Sequence, residues 1–148
     1  MKSLRIDPDM KEKWPQTRIG CLQYQVKVEK KNEDMWSYLK KDVFKKTRDA
    51  IFDYGVNDIP NIKESRLAYK AFGKEPSRYR VSSEALIRRI GQGKGLYEVN
   101  TVVDVNNLIS IESGFSVGSY DCSKIADQLI FRIIAEGCVD CRTVVIQH

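Results

Sequence analysis

Histidine is nearly missing from this sequence. The only one is His148, the last residue. Serine–histidine–aspartate and cysteine–histidine catalysis both need a placed imidazole, and one at the chain end is a poor candidate for either. Cysteine is scarce as well: Cys21, Cys122, Cys138 and Cys141. The last two form a C-x-x-C, but a structural zinc site wants two such pairs, or one pair with two histidines. They read as two reduced thiols. No apolar run approaches the roughly 20 residues that span a bilayer. The opening MKSLRIDPDMKEKW is charged and has no apolar secretory core, so export is not expected. A cytoplasmic location follows, with neither membrane nor metal as partner. GQGKG lacks the strand–loop–helix context and the G-K-[ST] ending of a phosphate loop, so no cofactor is expected.

What is present in excess is positive charge, and it is concentrated. The 148 residues carry a net charge of +5. Residues 61–95 hold nine basic and three acidic side chains, net +6, while residues 96–148 hold three basic and seven acidic, net −4. A concentrated basic segment suits a phosphate backbone, because each neutralised phosphate releases counterions. The same charge also suits a solvated face that keeps a protein soluble. A chain of this length is most simply one domain.

The pattern along the chain alternates between strand and helix periods. Residues 1–16, with Pro8 and Pro15, read as a polar leader. GCLQYQVKVEKK places Leu22, Tyr24, Val26 and Val28 on one face, the period of a half-buried strand. From Asp34, a plausible N-cap, to Tyr54 the period becomes helical, with Trp36, Leu39, Val43, Ala50 and Tyr54 near one stripe. Asn61 with Glu64 makes a capping-box start for a helix that Gly73 and Pro76 end. Leu67, Tyr69, Ala71 and Phe72 supply its apolar surface. SSEALIRRI opens another helix, with a serine cap and Leu86, Ile87 and Ile90 inward. EVNTVVDV reads as a strand, NNLISIES as a short helix ended by Gly114, and QLIFRII as a last strand. The fold class expected is α/β (mixed α+β): one domain with a mixed sheet flanked by helices.

VVDVNN, residues 102–107, is the most unusual stretch. In a strand of valines, Asp104 must be hydrogen-bonded to be tolerated. Asn106 or Asn107 would cap the helix that follows. Ligands in open α/β sheets bind at the carboxyl ends of strands, which is where Asp104, Asn106 and Asn107 would fall.

Residues 82–125 resemble the tRNA-editing module, B-three/B-four, of the phenylalanyl-tRNA synthetase beta subunit. That family has a serine-started helix carrying arginines, a glycine, an "IN-x-VVD-[VI]-TN" junction, a "GQP-x-HAFD" loop and a "DKI" segment. Ser82, Arg88, Arg89, Gly95, Asn100, Val102, Val103, Asp104, Asn107, Gly114, Tyr120, Asp121, Lys124 and Ile125 fall in register with it. The upstream IPNIKESRLAYKAFGKEPSRYR resembles the free-standing relatives of the module, and the resemblance covers about residues 17 to 136. Two departures are visible. Ser116 and Gly118 stand where the synthetase loop has proline and histidine, and CVDCRTVVIQH does not follow the family's continuation. The resemblance implies a domain over residues 17–148, shortened at its C-terminus. It implies a pocket at Asn100, Asp104, Asn107, Gly118 and Tyr120.

Three functions are consistent with these residues. The first is a free-standing module binding tRNA or another RNA, with Arg66, Lys70, Arg78, Arg80, Arg88 and Arg89 on phosphates and Tyr79 stacking on an unpaired base. Tyr69 and Phe72 suit core packing better. The second is a trans-acting aminoacyl-tRNA deacylase related to the phenylalanine-tRNA ligase beta subunit. Lacking histidine, it would position water with Asp104, Asn107, Ser116 or Asp121 and with backbone amides near Gly118. The third is a module binding an amino acid without RNA, favoured by the acidic last third. The basic segment is expected to form one face, and Asp104 to be buried.

Overall fold

The computed structural model describes residues 2–133. Cys138, Cys141 and His148 lie outside the described residues. The described chain falls into two compact units, one of residues 2–26 and 120–133 and the other of residues 27–119. No described helix is long and apolar enough to cross a membrane.

The first unit is built on a two-stranded parallel sheet, β1 (Ser3–Ile6) against β2 (Gln128–Phe131). Ser3 pairs with Gln128 and Ile6 with Phe131. The period-2 alternation turns Leu129 and Phe131 inward, where both are buried, as is Met10 of the short helix α1 (Pro8–Lys13). Asp7 caps α1 by accepting from the Asp9 amide, with Pro8 at the first helical position. Residues 1–16 are therefore not a loose leader: they hold β1 and α1. The strand expected in QLIFRII is present as β2. The strand expected over residues 20–31 is not formed, and Leu22 is 87% exposed. Its alternation finds no partner strand among the described residues.

The second unit is helical. Asn32, not Asp34, caps its first helix, α2 (Glu33–Tyr38), by accepting from the Met35 amide. The helix continues through one π turn, Leu39–Val43, into α3 (Phe44–Tyr54). In that turn the Phe44 amide reaches back to the Leu39 carbonyl. The extra residue shifts every later position around the axis. Trp36, Leu39 and Val43 are buried as the periodicity predicts, but Ile51 packs on the core and Tyr54 turns to solvent. Helix α4 (Pro60–Ala71) begins with proline at its first position, so Asn61 is not its cap. Ile62, Ser65 and Ala68 form its buried face, while Leu67 is exposed. Gly73 ends the segment with φ at +74°. Helix α5 (Ser82–Gly91) lies where expected, but its cap position is Val81, without a side-chain hydrogen bond. Ile87 and Ile90 are buried and Leu86 partly so.

The largest correction concerns VVDVNN, which is helix. Helix α6 runs Thr101–Ser113. Asn100 caps it by accepting from the Val103 amide at 3.0 Å. Gly114 ends it in the left-handed conformation, φ +74°. Asn61 donates to the Ser113 carbonyl at 2.6 Å, satisfying one of the open carbonyls at that helix end. The described residues are thus mixed but helix-rich, and among them the sheet is a two-strand parallel one rather than the larger mixed sheet expected. The second unit's core joins Trp36, Leu39, Val43, Ile62, Val81, Ile87, Ile90 and Ile111.

Candidate functional site

Asp104 sits in the first turn of α6 and is 1% exposed. Its Oδ2 accepts the indole N–H of Trp36 at 2.8 Å, and its Oδ1 accepts the Val99 amide at 3.1 Å. A carboxylate near a helix N-terminus also meets the positive end of the helix dipole. The aspartate among valines is therefore an internal fastener between α2, the segment before α6, and α6 itself. The approach to α6 is fixed further by Thr101, whose amide donates to the Glu29 carbonyl while its hydroxyl accepts the Glu29 amide. Above the same indole, the Lys40 ammonium lies 5.3 Å from the ring centroid. Lys40 and Lys31 both pair with Glu98, at 3.2 and 2.9 Å. The Lys31 and Lys40 contacts hold the Glu98 carboxyl below its ordinary value. The reciprocal contact with Glu98, then Glu33, raises Lys31.

The remaining pocket candidates are spread along α6 and the loop after it. Asn106 donates to the Ser119 hydroxyl at 2.6 Å, and Asn107 is half-buried in the middle of the helix. Neither asparagine caps anything. The Ser116 hydroxyl accepts the Ser83 amide and meets the Ser83 hydroxyl, both at 3.2 Å, which ties the loop to the start of α5. The Val117 amide donates to Ser110, and Gly118 is exposed. Asn100, Asp104 and Asn107 therefore share α6 and its cap, and Ser116 joins α5. Tyr120 and Asp121 belong to the first unit. There Asp121 accepts from the Ser123 hydroxyl and amide, which lowers its carboxyl, while burial raises the Tyr120 phenol. Among the described residues no cluster of His, Cys, Asp and Glu could hold a metal ion.

The basic segment divides into two kinds of residue. Arg66 and Arg88 face inward. Glu84 is fully buried, and its Oε1 accepts from Arg66 Nη1 at 2.9 Å and Arg88 Nε at 2.8 Å. Arg88 also donates to Asn57 at 2.6 Å, and Arg66 to the Pro76 carbonyl at 3.3 Å. Two of the arginines expected on phosphates are thus committed to one carboxylate, an outcome that charge counting missed. Lys70, Arg78, Tyr79 and Arg80 face solvent. Arg78 and Arg80 make no ion pair among the described residues. Their loop is shaped by the buried ring of Pro76 and by Glu75, which accepts from the Arg78 and Tyr79 amides through its carbonyl. The carboxyl of Glu75 accepts from the Ser77 amide and hydroxyl, and these bonds lower it. The Lys74 ammonium lies 5.2 Å from the Tyr79 ring centroid. Tyr69 is half-buried, its phenol raised by burial, as suits core packing.

Arg89 stands apart from the other arginines. Its guanidinium lies 4.1 Å from the centroid of the Tyr97 ring, and its Nε is buried without a hydrogen-bond partner. Tyr97 was not among the residues expected from sequence. An aromatic following a glycine- and lysine-containing loop was the available signal.

No curated protein and no solved structure matches this chain. The family model of the B3/4 domain matches residues 64–140, 77 of the 148. That span begins in α4, takes in α5 and α6, and includes both Glu84 and Asp104. The chain belongs to the B3/4 domain family, the domain family found in the phenylalanyl-tRNA synthetase beta subunit.

Proposed function

We propose that this chain is a free-standing B3/4 module that binds tRNA, or another RNA, in the cytoplasm. The observation that carries the reading is the construction of the loop between α4 and α5. Arg78 and Arg80 flank the exposed Tyr79, with no carboxylate partner among the described residues. The loop is not slack. Its Pro76 carbonyl is held by Arg66, Arg66 by the buried Glu84, and Glu84 by Arg88. Unpaired cations beside an exposed ring suit a nucleic-acid strand, where phosphates meet guanidiniums and bases meet aromatics. Lys70, at the end of α4, extends the cationic surface. Arg66 and Arg88 support this surface rather than contact RNA.

Hydrolytic editing of aminoacyl-tRNA has less support. Both oxygens of Asp104 already hold donors, and Gly118 offers no side chain. A positioned acid or base typically contributes about 10²–10⁴-fold. Release of tyrosine from mischarged phenylalanine tRNA at a synthetase-like rate would overturn that ranking.

The test of binding is a titration with bulk tRNA over a range of salt. Affinity is expected to fall by about 0.7 log units per log salt for each single-strand phosphate contacted. Arg78→Ala with Arg80→Ala removes two such contacts and lowers the slope by about 1.4. No complex with bulk tRNA at low salt, or a complex indifferent to salt, refutes the reading.

A further inference from the structure

The half-buried arginines of the second unit are Arg66, Arg88 and Arg89. Glu84 takes Arg66 and Arg88, and Glu98 takes Lys31 and Lys40. Of the three half-buried arginines, Arg89 is the exception. It is half-buried, it has no carboxylate partner among the described residues, and its Nε finds no hydrogen bond. A buried donor without an acceptor is costly and calls for an explanation. The nearest carboxylate in sequence to its ring partner, Glu98, is already occupied by two lysines. What Arg89 does have is Tyr97, with the guanidinium 4.1 Å from the ring centroid. Stacking fixes the plane of the guanidinium and leaves its edge donors for a further acceptor.

Tyr97 is correspondingly unusual. The residue is 70% exposed although Arg89 stacks on its ring. The segment that carries it is basic at Lys94 and takes positive φ at Gly93 and Gly95, +73° and +61°. A ring stiffened from behind by a cation, with most of its surface in water, is a stacking platform. A guanidinium with unused donors beside it is a phosphate clip. A base on the ring with its own or the next phosphate on the accessible edge of the guanidinium engages both groups at once, while Nε stays buried.

We propose that Tyr97 and Arg89 form a nucleotide-sized binding site that takes one unpaired base of an RNA strand. This site lies at the C-terminal end of α5, whereas the Arg78–Tyr79–Arg80 loop precedes the same helix. The inference rests on the RNA-binding reading and narrows it to RNA with unpaired nucleotides. Bases inside a duplex do not present a free face to stack, so a duplex uses only the phosphate contacts.

The experiment compares a labelled single-stranded RNA decamer, the same decamer annealed to its complement, and free adenosine monophosphate, each titrated by fluorescence anisotropy or calorimetry. Tyr97→Ala, Tyr97→Phe and Arg89→Ala are measured beside the unchanged protein, with circular dichroism confirming that each is folded. Tyr97→Ala is expected to weaken single-strand binding roughly tenfold or more, the usual cost of losing one base–aromatic stack. Tyr97→Phe retains binding, and duplex affinity barely moves. Arg89→Ala weakens single-strand binding and lowers its salt slope. Unchanged single-strand affinity in folded Tyr97→Ala, with RNA binding intact, overturns the site and leaves the RNA reading standing. Equal loss on single strand and duplex overturns the stacking role. Affinity for the free mononucleotide equal to that for the decamer overturns the assignment to an RNA strand. Absence of any RNA binding by the unchanged protein overturns the reading and the site together.

Discussion

Replacing Asp104 with alanine should destabilise the second unit without any ligand present. The side chain is buried and holds two donors, the Trp36 indole at 2.8 Å and the Val99 amide at 3.1 Å. Alanine leaves both without their acceptor. A buried donor stranded in this way costs about 1–3 kcal/mol. The two sites differ: Trp36 is buried, whereas Val99 is exposed enough for water to replace the carboxylate. Most of the loss therefore falls on the indole, and the total is about 2–4 kcal/mol. For a chain of this size the melting midpoint should drop by roughly 3 °C for each kcal/mol. Asp104→Asn keeps one acceptor and should lose about half as much. The assay is urea unfolding followed by far-ultraviolet circular dichroism for Asp104→Ala, Trp36→Phe and the double variant. The two side chains touch, so their effects should not add, and a coupling of about 1–2 kcal/mol is expected. Additive losses, or a change under about 0.5 kcal/mol for Asp104→Ala, would refute the fastening role. Lost RNA binding at full stability would move Asp104 to the binding surface.

Glu84→Gln should cost about 2–4 kcal/mol, because it leaves Arg66 and Arg88 beside a buried neutral group; chemical denaturation measures it, and both guanidiniums' access to solvent keeps the loss below that of a fully buried pair. The same change should loosen the 73–80 loop, seen as faster amide exchange at Arg78 and Tyr79. Gly114→Ala should lower stability by about 1–2 kcal/mol, since Gly114 has a left-handed φ of +74° and an added Cβ would lie 3.1 Å from the Cβ of Asn61; an unchanged melting midpoint would contradict that strain. Glu98 is held below the ordinary carboxylate value of 4.5 by Lys31 and Lys40. Its folded value is depressed, so its contribution is present above about pH 4.5 and is lost as pH falls through the lower folded value. Melting midpoints of Glu98→Gln and the unchanged protein should therefore converge in acid and in high salt, the pair being solvent-screened.

Local signals in the sequence located most helices. The glycines at 73 and 114 and the inward isoleucines of α5 belong to short-range chemistry of caps and turns, and the structure places them accordingly. The failures share another cause. VVDV reads as strand because valine favours strands, yet Asn100 caps a helix there and Asp104 is fastened to Trp36, 68 positions earlier. Propensity is a weak prior against such a tertiary bond. The alternating Leu22–Val28 run has the period of a strand, but a strand needs a neighbour, and none stands beside it among the described residues. Arg66 and Arg88 were indistinguishable from the free arginines because charge counting does not reveal that both reach Glu84. The role of Tyr97 is invisible in sequence for the same reason, since its partner Arg89 lies on α5.

The pairing of β1 with β2 sets an order on how the molecule is made. Ser3–Ile6 must wait for Gln128–Phe131, so the first unit cannot assemble until nearly all of the described chain has emerged from the ribosome. Closing the 121 residues between the two strands costs about 4 kcal/mol of chain entropy if they are disordered. If residues 27–119 have already folded, the effective loop is much shorter and that cost falls. At about 5–20 residues per second, the 12 residues from 120 to 131 give the complete helical unit roughly one to two seconds' start. β1, made well before β2, is thus among the last of the described elements to find its partner. During that interval its edge is exposed to whatever else can pair with a strand.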